Sequence, residues 1–163
     1  MVFREYGHHV MLRTLGFDIG KANDSALNAI ETGLVSYFAC SYQNDPTLGR
    51  PHGQPAGTAP MINLENKRTL AGATSLAASD LQKMYEVGDA WGGLFWDIRK
   101  AVGANQADRI MLAAWRALPA PDVKTHPYPA ELATRILAEV GVLTGEQKAR
   151  EVRALFKHRS LEF

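Results

Sequence analysis

Three residues near the start of the chain have the types and spacing that metal or acid–base chemistry requires: Arg4, Glu5 and His8. Residues four apart lie on the same face of an α-helix, so a helix here places Arg4 beside His8. An imidazole can bind zinc, and a neighbouring carboxylate can act as a general base toward a metal-bound water. A guanidinium cannot bind a metal, because it stays protonated and only donates hydrogen bonds. Taken alone, this spacing is a weak indication of a metal site and also fits an ordinary helix surface.

Two later segments make the pattern more specific: ETGLVSYF over Glu31–Phe38, and YEVGDAWGGLFW over Tyr85–Trp96. Together with REYGHH over Arg4–His9, they resemble the successive motifs of the gluzincin zinc metallopeptidases. Those motifs are H-E-x-x-H, a segment like N-E-G-L-A-D-Y-F, and a segment like H-x-x-G-x-x-W-x-x-x-L-W. The resemblance is closest to the thermolysin and fungalysin branches and covers about Val2–Leu118.

The resemblance implies a role for each matching position, and the departures matter as much as the matches. The first zinc-binding histidine of the family falls on Arg4, the general base on Glu5 and the second histidine on His8. The third zinc ligand, a glutamate, falls on Thr32. Two of the three zinc-binding positions therefore carry an arginine and a threonine, so we expect His8 to be a vacant ligand position and Glu5 to be a vestigial base.

Three further positions belong to the former site by the same resemblance. The acid that supports the zinc ligands falls on Ser36, and the histidine that stabilises the oxyanion falls near Tyr85. We hypothesise that Arg4 lies near the old zinc position and pairs with Glu5 or Glu31, which would keep two helices in register without a metal. No cofactor is then expected.

Three classes of function follow and stay open at this point. The first is a catalytically inactive, metallopeptidase-like domain that acts by binding or assembly. The second is a zinc-dependent peptidase that needs an N-terminal lobe and substitute ligands, for example His8 with His9 or His52. The third is a structural fragment of a larger peptidase-like protein, because the chain begins at the motif helix and the family's N-terminal β-rich lobe would precede it.

Helical periodicity is plentiful and alternating β-branched runs are scarce, which predicts an all-α fold of five to six helices. By resemblance this is the helical lobe of a zincin-like metallopeptidase. We expect one domain over residues 1–163, with a long loop over about 42–78 that carries a short ordered piece near Met61–Leu64. The predicted helices are about Val2–Leu15 with Gly16 as a stop, Asp24 or Ser25 to Ser41, Tyr85–Val102, a fourth capped by Asn105, a fifth ending before Gly141 and a sixth capped by Thr144.

The composition and charge of the chain limit the classes of partner that are expected. The formal net charge of +1 gives no basic field, so we expect no nucleic-acid partner. No apolar run approaches the ~20 residues of a membrane span, and no secretory signal opens the chain, which makes the cytoplasm the default location. Cys40 is expected to be a buried small side chain, and basic residues near the end, including Arg159, a solvated face. The first helix is apolar on more than one side, which predicts a homo-oligomer or a covering partner chain.

Overall fold

The computed structural model of the protein describes residues 2–15, 24–49, 60–73, 76, 80–120 and 127–163. Most of this part of the chain is helical, and two short strands complete it, so the predicted all-α class with five to six helices is confirmed. No helix among the described residues is long and apolar enough to cross a bilayer. The helices are α1 (Val2–Thr14), α2 (Ser25–Gln43), α3 (Leu81–Val102), α4 (Ala104–Arg116), α5 (Tyr128–Thr144) and α6 (Glu146–His158).

Side-chain caps fix the starts of the two longest helices. Asp24 accepts a hydrogen bond from the backbone N–H of Leu27 at the start of α2, as the sequence predicted. Asp80 accepts a hydrogen bond from the backbone N–H of Lys83 at the start of α3. Helix α3 therefore begins at Leu81 and not at the predicted Tyr85. The apolar stripe of α3 begins only further along the helix, and for that reason its periodicity does not show the first turn.

The predicted caps of the later helices are wrong. Gly103 and Gly145, both with positive φ, separate α3 from α4 and α5 from α6, and neither following helix has a side-chain cap. Asn105 therefore lies inside α4. Thr144 is the last residue of α5, where its hydroxyl donates to the carbonyl of Val140. Glycine takes this conformation at little cost, so it can join two helices with a single residue. The predicted stop at Gly16 lies outside the described residues.

A short antiparallel pair of strands lies within the predicted loop. Strand β1 (Thr47–Leu48) pairs with β2 (Ile62–Asn63), with Leu48 opposite Ile62. The ordered piece predicted near Met61–Leu64 is thus confirmed, while α2 extends two residues beyond the predicted Ser41. These strands are too short to produce a recognisable alternation of apolar and polar residues.

Helices α2 and α3 approach each other closely at a set of glycines. A Cβ added at Gly33 would lie 2.6 Å from Cβ of Trp91 and 2.7 Å from the carbonyl oxygen of Gly88. On the opposite helix, a Cβ at Gly88 would lie 2.9 Å from Cγ2 of Thr32. Buried aromatic side chains, including Tyr37 and Trp91, pack beside this crossing. The two helices can pack this closely only because the contact points have no side chains.

Hydrogen bonds from the side chain of Arg159 connect the segment after β2 to the end of the C-terminal helix. Its side chain is buried, with the residue 3% exposed, and its Nη2 donates to Oδ2 of Asp97 at 2.6 Å. Its Nη1 donates to Oδ1 of Asn66 and to the carbonyl of Arg68. The expectation of a solvated face is therefore wrong for Arg159, because carboxylate and carbonyl acceptors from distant parts of the chain surround it. Cys40, in contrast, is buried as predicted, and burial raises its pKa to about 12.

We predict that Gly33→Ala lowers the free energy of unfolding by about 1–3 kcal/mol, because its new methyl group meets backbone atoms that cannot move aside. Gly141→Ala is the matched control, since the nearest atom to its new Cβ is Oε1 of Glu146 at 3.7 Å. That control should be neutral or gain up to about 1 kcal/mol from helix propensity. Denaturant titration followed by circular dichroism measures both variants. Equal stability of the two variants would show that the glycine crossing is not tight.

Candidate functional site

Helices α1 and α2 lie side by side, which brings together two of the three segments that carry the gluzincin resemblance. A Cβ added at Gly7 would lie 3.0 Å from Cγ1 of Val35, so the backbone of α1 comes close to α2 at this point. The third segment lies on α3, which packs against α2 at the glycine crossing. The predicted site residues therefore lie on three helices, and α2 contacts both of the others.

A hydrogen-bonded contact between these two helices joins His8 to Glu31. Nδ1 of His8 lies 2.7 Å from Oε1 and 2.9 Å from Oε2 of Glu31, whose side chain is buried. This contact uses one ring nitrogen and leaves Nε2 as the nitrogen that could bind a further group. A carboxylate in this position fixes the orientation of an imidazole, as it does for histidines that bind metals. The same pair is also sufficient to hold two helices in register.

Arg4 pairs with Glu5 and not with Glu31. Nη1 of Arg4 lies 3.2 Å from Oε1 of Glu5, whose side chain is 64% exposed. The predicted pairing with Glu5 is confirmed, but both partners lie on α1, so this pair does not join two helices. The role predicted for Arg4 in helix register belongs to His8, because Glu31 points to the imidazole.

A cavity of about 320 Å³ is lined by four of the positions that the resemblance assigns to a metallopeptidase site. Thr32 and Ser36, one turn apart on α2, line it together with Arg4 from α1 and Tyr85 from α3. Helical spacing explains this arrangement, since residues four apart share a face. Glu5, His8 and Glu31 are not part of the lining. The remaining lining residues are Ala39, Gln43, Leu48, Gly49, Met61, Ile62 and Asp89.

Asp89 is the lining residue with chemistry that the sequence did not single out. Burial raises its pKa, while the charges of Arg68 and Arg4 act in the opposite direction. Nε of Arg68 lies 3.9 Å from Oδ2 of Asp89. The available signal was its spacing, because Asp89 lies one helical turn after Tyr85 and must share its face.

The donors present do not fit a catalytic zinc, which requires about three protein ligands and an open position for water. Arg4 offers no lone pair, and Thr32 offers a neutral hydroxyl in place of a carboxylate. Among the described residues, no group of three or more His, Cys, Asp or Glu side chains could hold a metal ion. Of the substitute ligands considered, His9 lies on the exposed face of α1 and His52 lies outside the described residues.

A scan against protein-family models and searches of the curated proteins and of the solved structures found no match to this chain. The gluzincin relationship therefore stays a prediction from the motif residues, and its functional consequences are proposals.

We predict that Glu31→Ala lowers the free energy of unfolding by about 1–3 kcal/mol, because it leaves the partly buried imidazole of His8 without its acceptor. Glu5→Ala is the matched control on the exposed ion pair of the same region. It should change stability by less than about 1 kcal/mol, since exposed pairs contribute little. Chemical denaturation of both variants provides the measurement. A larger loss for Glu5→Ala than for Glu31→Ala would contradict the assignment of helix register to His8.

Proposed function

We propose that this protein is a metallopeptidase-like domain without catalytic activity, which acts by binding or assembly. The observation that supports this proposal is the position of Arg4 in the cavity, together with Thr32, Ser36 and Tyr85. By the resemblance, Arg4 and Thr32 are metal-ligand positions and Ser36 and Tyr85 support the zinc centre of an active peptidase, while the second ligand position, His8, does not line this cavity. Here the cavity is kept, while the residues that would bind the metal are replaced.

The positive charge of Arg4 makes this replacement of the first zinc ligand more severe than the loss of a ligand alone. A guanidinium at this position repels a divalent cation at short range in addition to offering no lone pair. Without a bound zinc, no water is activated near neutral pH, and the exposed carboxylate of Glu5 has no metal-bound water to deprotonate. A cavity with a fixed cation and hydroxyl groups suits the binding of an anionic or polar group instead.

One observation favours an alternative, a zinc-dependent peptidase with an additional N-terminal lobe and substitute ligands. The His8–Glu31 pair has the geometry in which a carboxylate orients a metal-binding imidazole. In this alternative, Nε2 of His8 would be one ligand and groups from the N-terminal lobe would supply others. Zinc content and peptidase activity distinguish it from the inactive domain.

The exposed face of α1 supports a proposal about assembly. Tyr6 is 66% exposed and Leu12 is 43% exposed, and both lie on this face with Glu5, His9 and Arg13. We propose that a second copy of the chain, or another covering chain, packs on this face. The same helix turns Met11 and Leu15 into the core, so its inner side is already covered.

We predict that the wild-type protein purifies without zinc and does not cleave peptides, and that the variant Arg4→His with Thr32→Glu binds about one zinc ion per chain. The variant restores two imidazoles one turn apart on α1 and a carboxylate on the cavity side of α2. Metal analysis after dialysis against zinc, followed by chelation, measures this.

The control for the zinc experiment is Arg4→His with Thr32→Gln, which has nearly the same shape but no carboxylate and should bind zinc much more weakly. Circular dichroism confirms that each variant is folded. Wild-type protein with stoichiometric zinc and chelator-sensitive peptidase activity would support the enzyme instead. A restored variant that is folded but does not bind zinc would contradict the metallopeptidase-like assignment.

We predict that the wild-type chain is larger than a monomer in light scattering at high concentration, and that Tyr6→Arg with Leu12→Arg shifts it toward the monomer. The two arginines would place like charges on this face of each chain, so the two faces would repel each other in the dimer. Val142→Arg is the matched control, because Val142 is 82% exposed on another helix. A monodisperse monomer for the wild-type chain argues against self-association.

A further inference from the structure

Arg4 lines the cavity, and its side chain has hydrogen-bonding capacity that the protein does not use. Its Nη1 contacts Glu5, while its Nε is buried and has no hydrogen-bond partner among the described residues. Buried donors are rarely left unpaired, since they have lost water without gaining an acceptor. A carboxylate is the natural complement, because it can accept two parallel hydrogen bonds from a guanidinium.

Asp89 provides the opposite charge within the same cavity. It lies on α3, partly buried, and Nε of Arg68 at 3.9 Å is beyond hydrogen-bond distance from Oδ2. The carboxylate can therefore accept a hydrogen bond from a nitrogen of a bound molecule. A group that carries a carboxylate and a nitrogen on the same carbon would satisfy Arg4 and Asp89 together.

The rest of the lining is largely apolar. Leu48 of β1, Ile62 of β2 and Ala39 of α2 form one side of the cavity, and the exposed side chain of Met61 lies against Gly49. Methionine adapts its shape readily, so it can close over ligands of different size. A volume of about 320 Å³ is at the lower end of the usual range for ligand pockets and suits one or two amino-acid residues, not a long peptide.

We propose that this cavity binds the α-carboxylate end of an aliphatic amino acid or of a peptide that terminates in one. In this arrangement the ligand's carboxylate accepts hydrogen bonds from Arg4, and its adjacent nitrogen donates to Asp89. The ligand's aliphatic side chain packs against Leu48 and Ile62. This inference rests on the proposed binding function, because a zinc ion at the former site would occupy the position that the ligand carboxylate needs.

Isothermal titration calorimetry on the full chain tests this inference with four probes: leucine, N-acetyl-leucine, the dipeptide alanyl-leucine and its C-terminal amide. The acid form of the dipeptide should bind at least about tenfold more tightly than the amide, since only the acid can pair with Arg4. Leucine binding more tightly than the dipeptide assigns the site to a free amino acid, and the reverse order assigns it to a peptide C-terminus. Weaker binding of N-acetyl-leucine than of leucine supports a charged amine beside Asp89.

Arg4→Met provides the decisive variant, because methionine keeps much of the length and loses the charge. It should weaken binding of the acid-form dipeptide by at least about tenfold and leave the amide unchanged. Arg116→Met, at an exposed position of α4 that does not line the cavity, is the matched control and should bind as the wild type does.

Two outcomes would overturn the inference: equal affinity for acid and amide, or no binding of any probe at millimolar concentration. The zinc experiment is independent of both outcomes. If the restored variant binds zinc while the wild type binds none of these probes, the metallopeptidase-like assignment is retained and only the ligand class is wrong.

Discussion

The close approach of α2 and α3 is the constraint on which the rest of the structure depends. Gly33 meets Gly88 and Gly92 where the two backbones cross, and no other residue type fits there without displacing main-chain atoms. The crossing holds together two helices that line the cavity, because Thr32 and Ser36 come from one helix and Tyr85 and Asp89 from the other. A tight crossing of this kind holds the shape of the cavity independently of the residues that line it.

Much of the fold follows from the sequence because apolar spacing is a property of whole helices. The six helices and the burial of Cys40 come from patterns of this kind, and the Asp24 cap follows from the type of residue that precedes α2. The strands at Thr47–Leu48 and Ile62–Asn63 do not, because two residues cannot display a period of two. The caps at Asn105 and Thr144 were wrong for a related reason, since a glycine with positive φ can start the next helix with no side-chain signal.

The residues of the site were predictable in part: four of the selected positions line the cavity, while Glu5, His8 and Glu31 do not. Spacing and resemblance selected Arg4, Thr32, Ser36 and Tyr85, and the cavity contains all four. They left Arg4 to pair with Glu5 or Glu31 and did not predict that Glu31 contacts His8, because that contact depends on the rotation of α1 against α2. Asp89 has no counterpart among the family's site positions, so only its spacing from Tyr85 indicates that it shares the cavity.

The burial of Arg159 ties the far end of the chain to the cavity wall. Its guanidinium donates to the carbonyl of Arg68, its own carbonyl accepts from the N–H of Leu70, and the Arg68 side chain faces Asp89. Shortening the chain by a few residues, or attaching a bulky fusion directly behind the last helix, would therefore disturb the cavity as well as the tail. The C-terminal residues are a poor place for a purification tag in any study of ligand affinity.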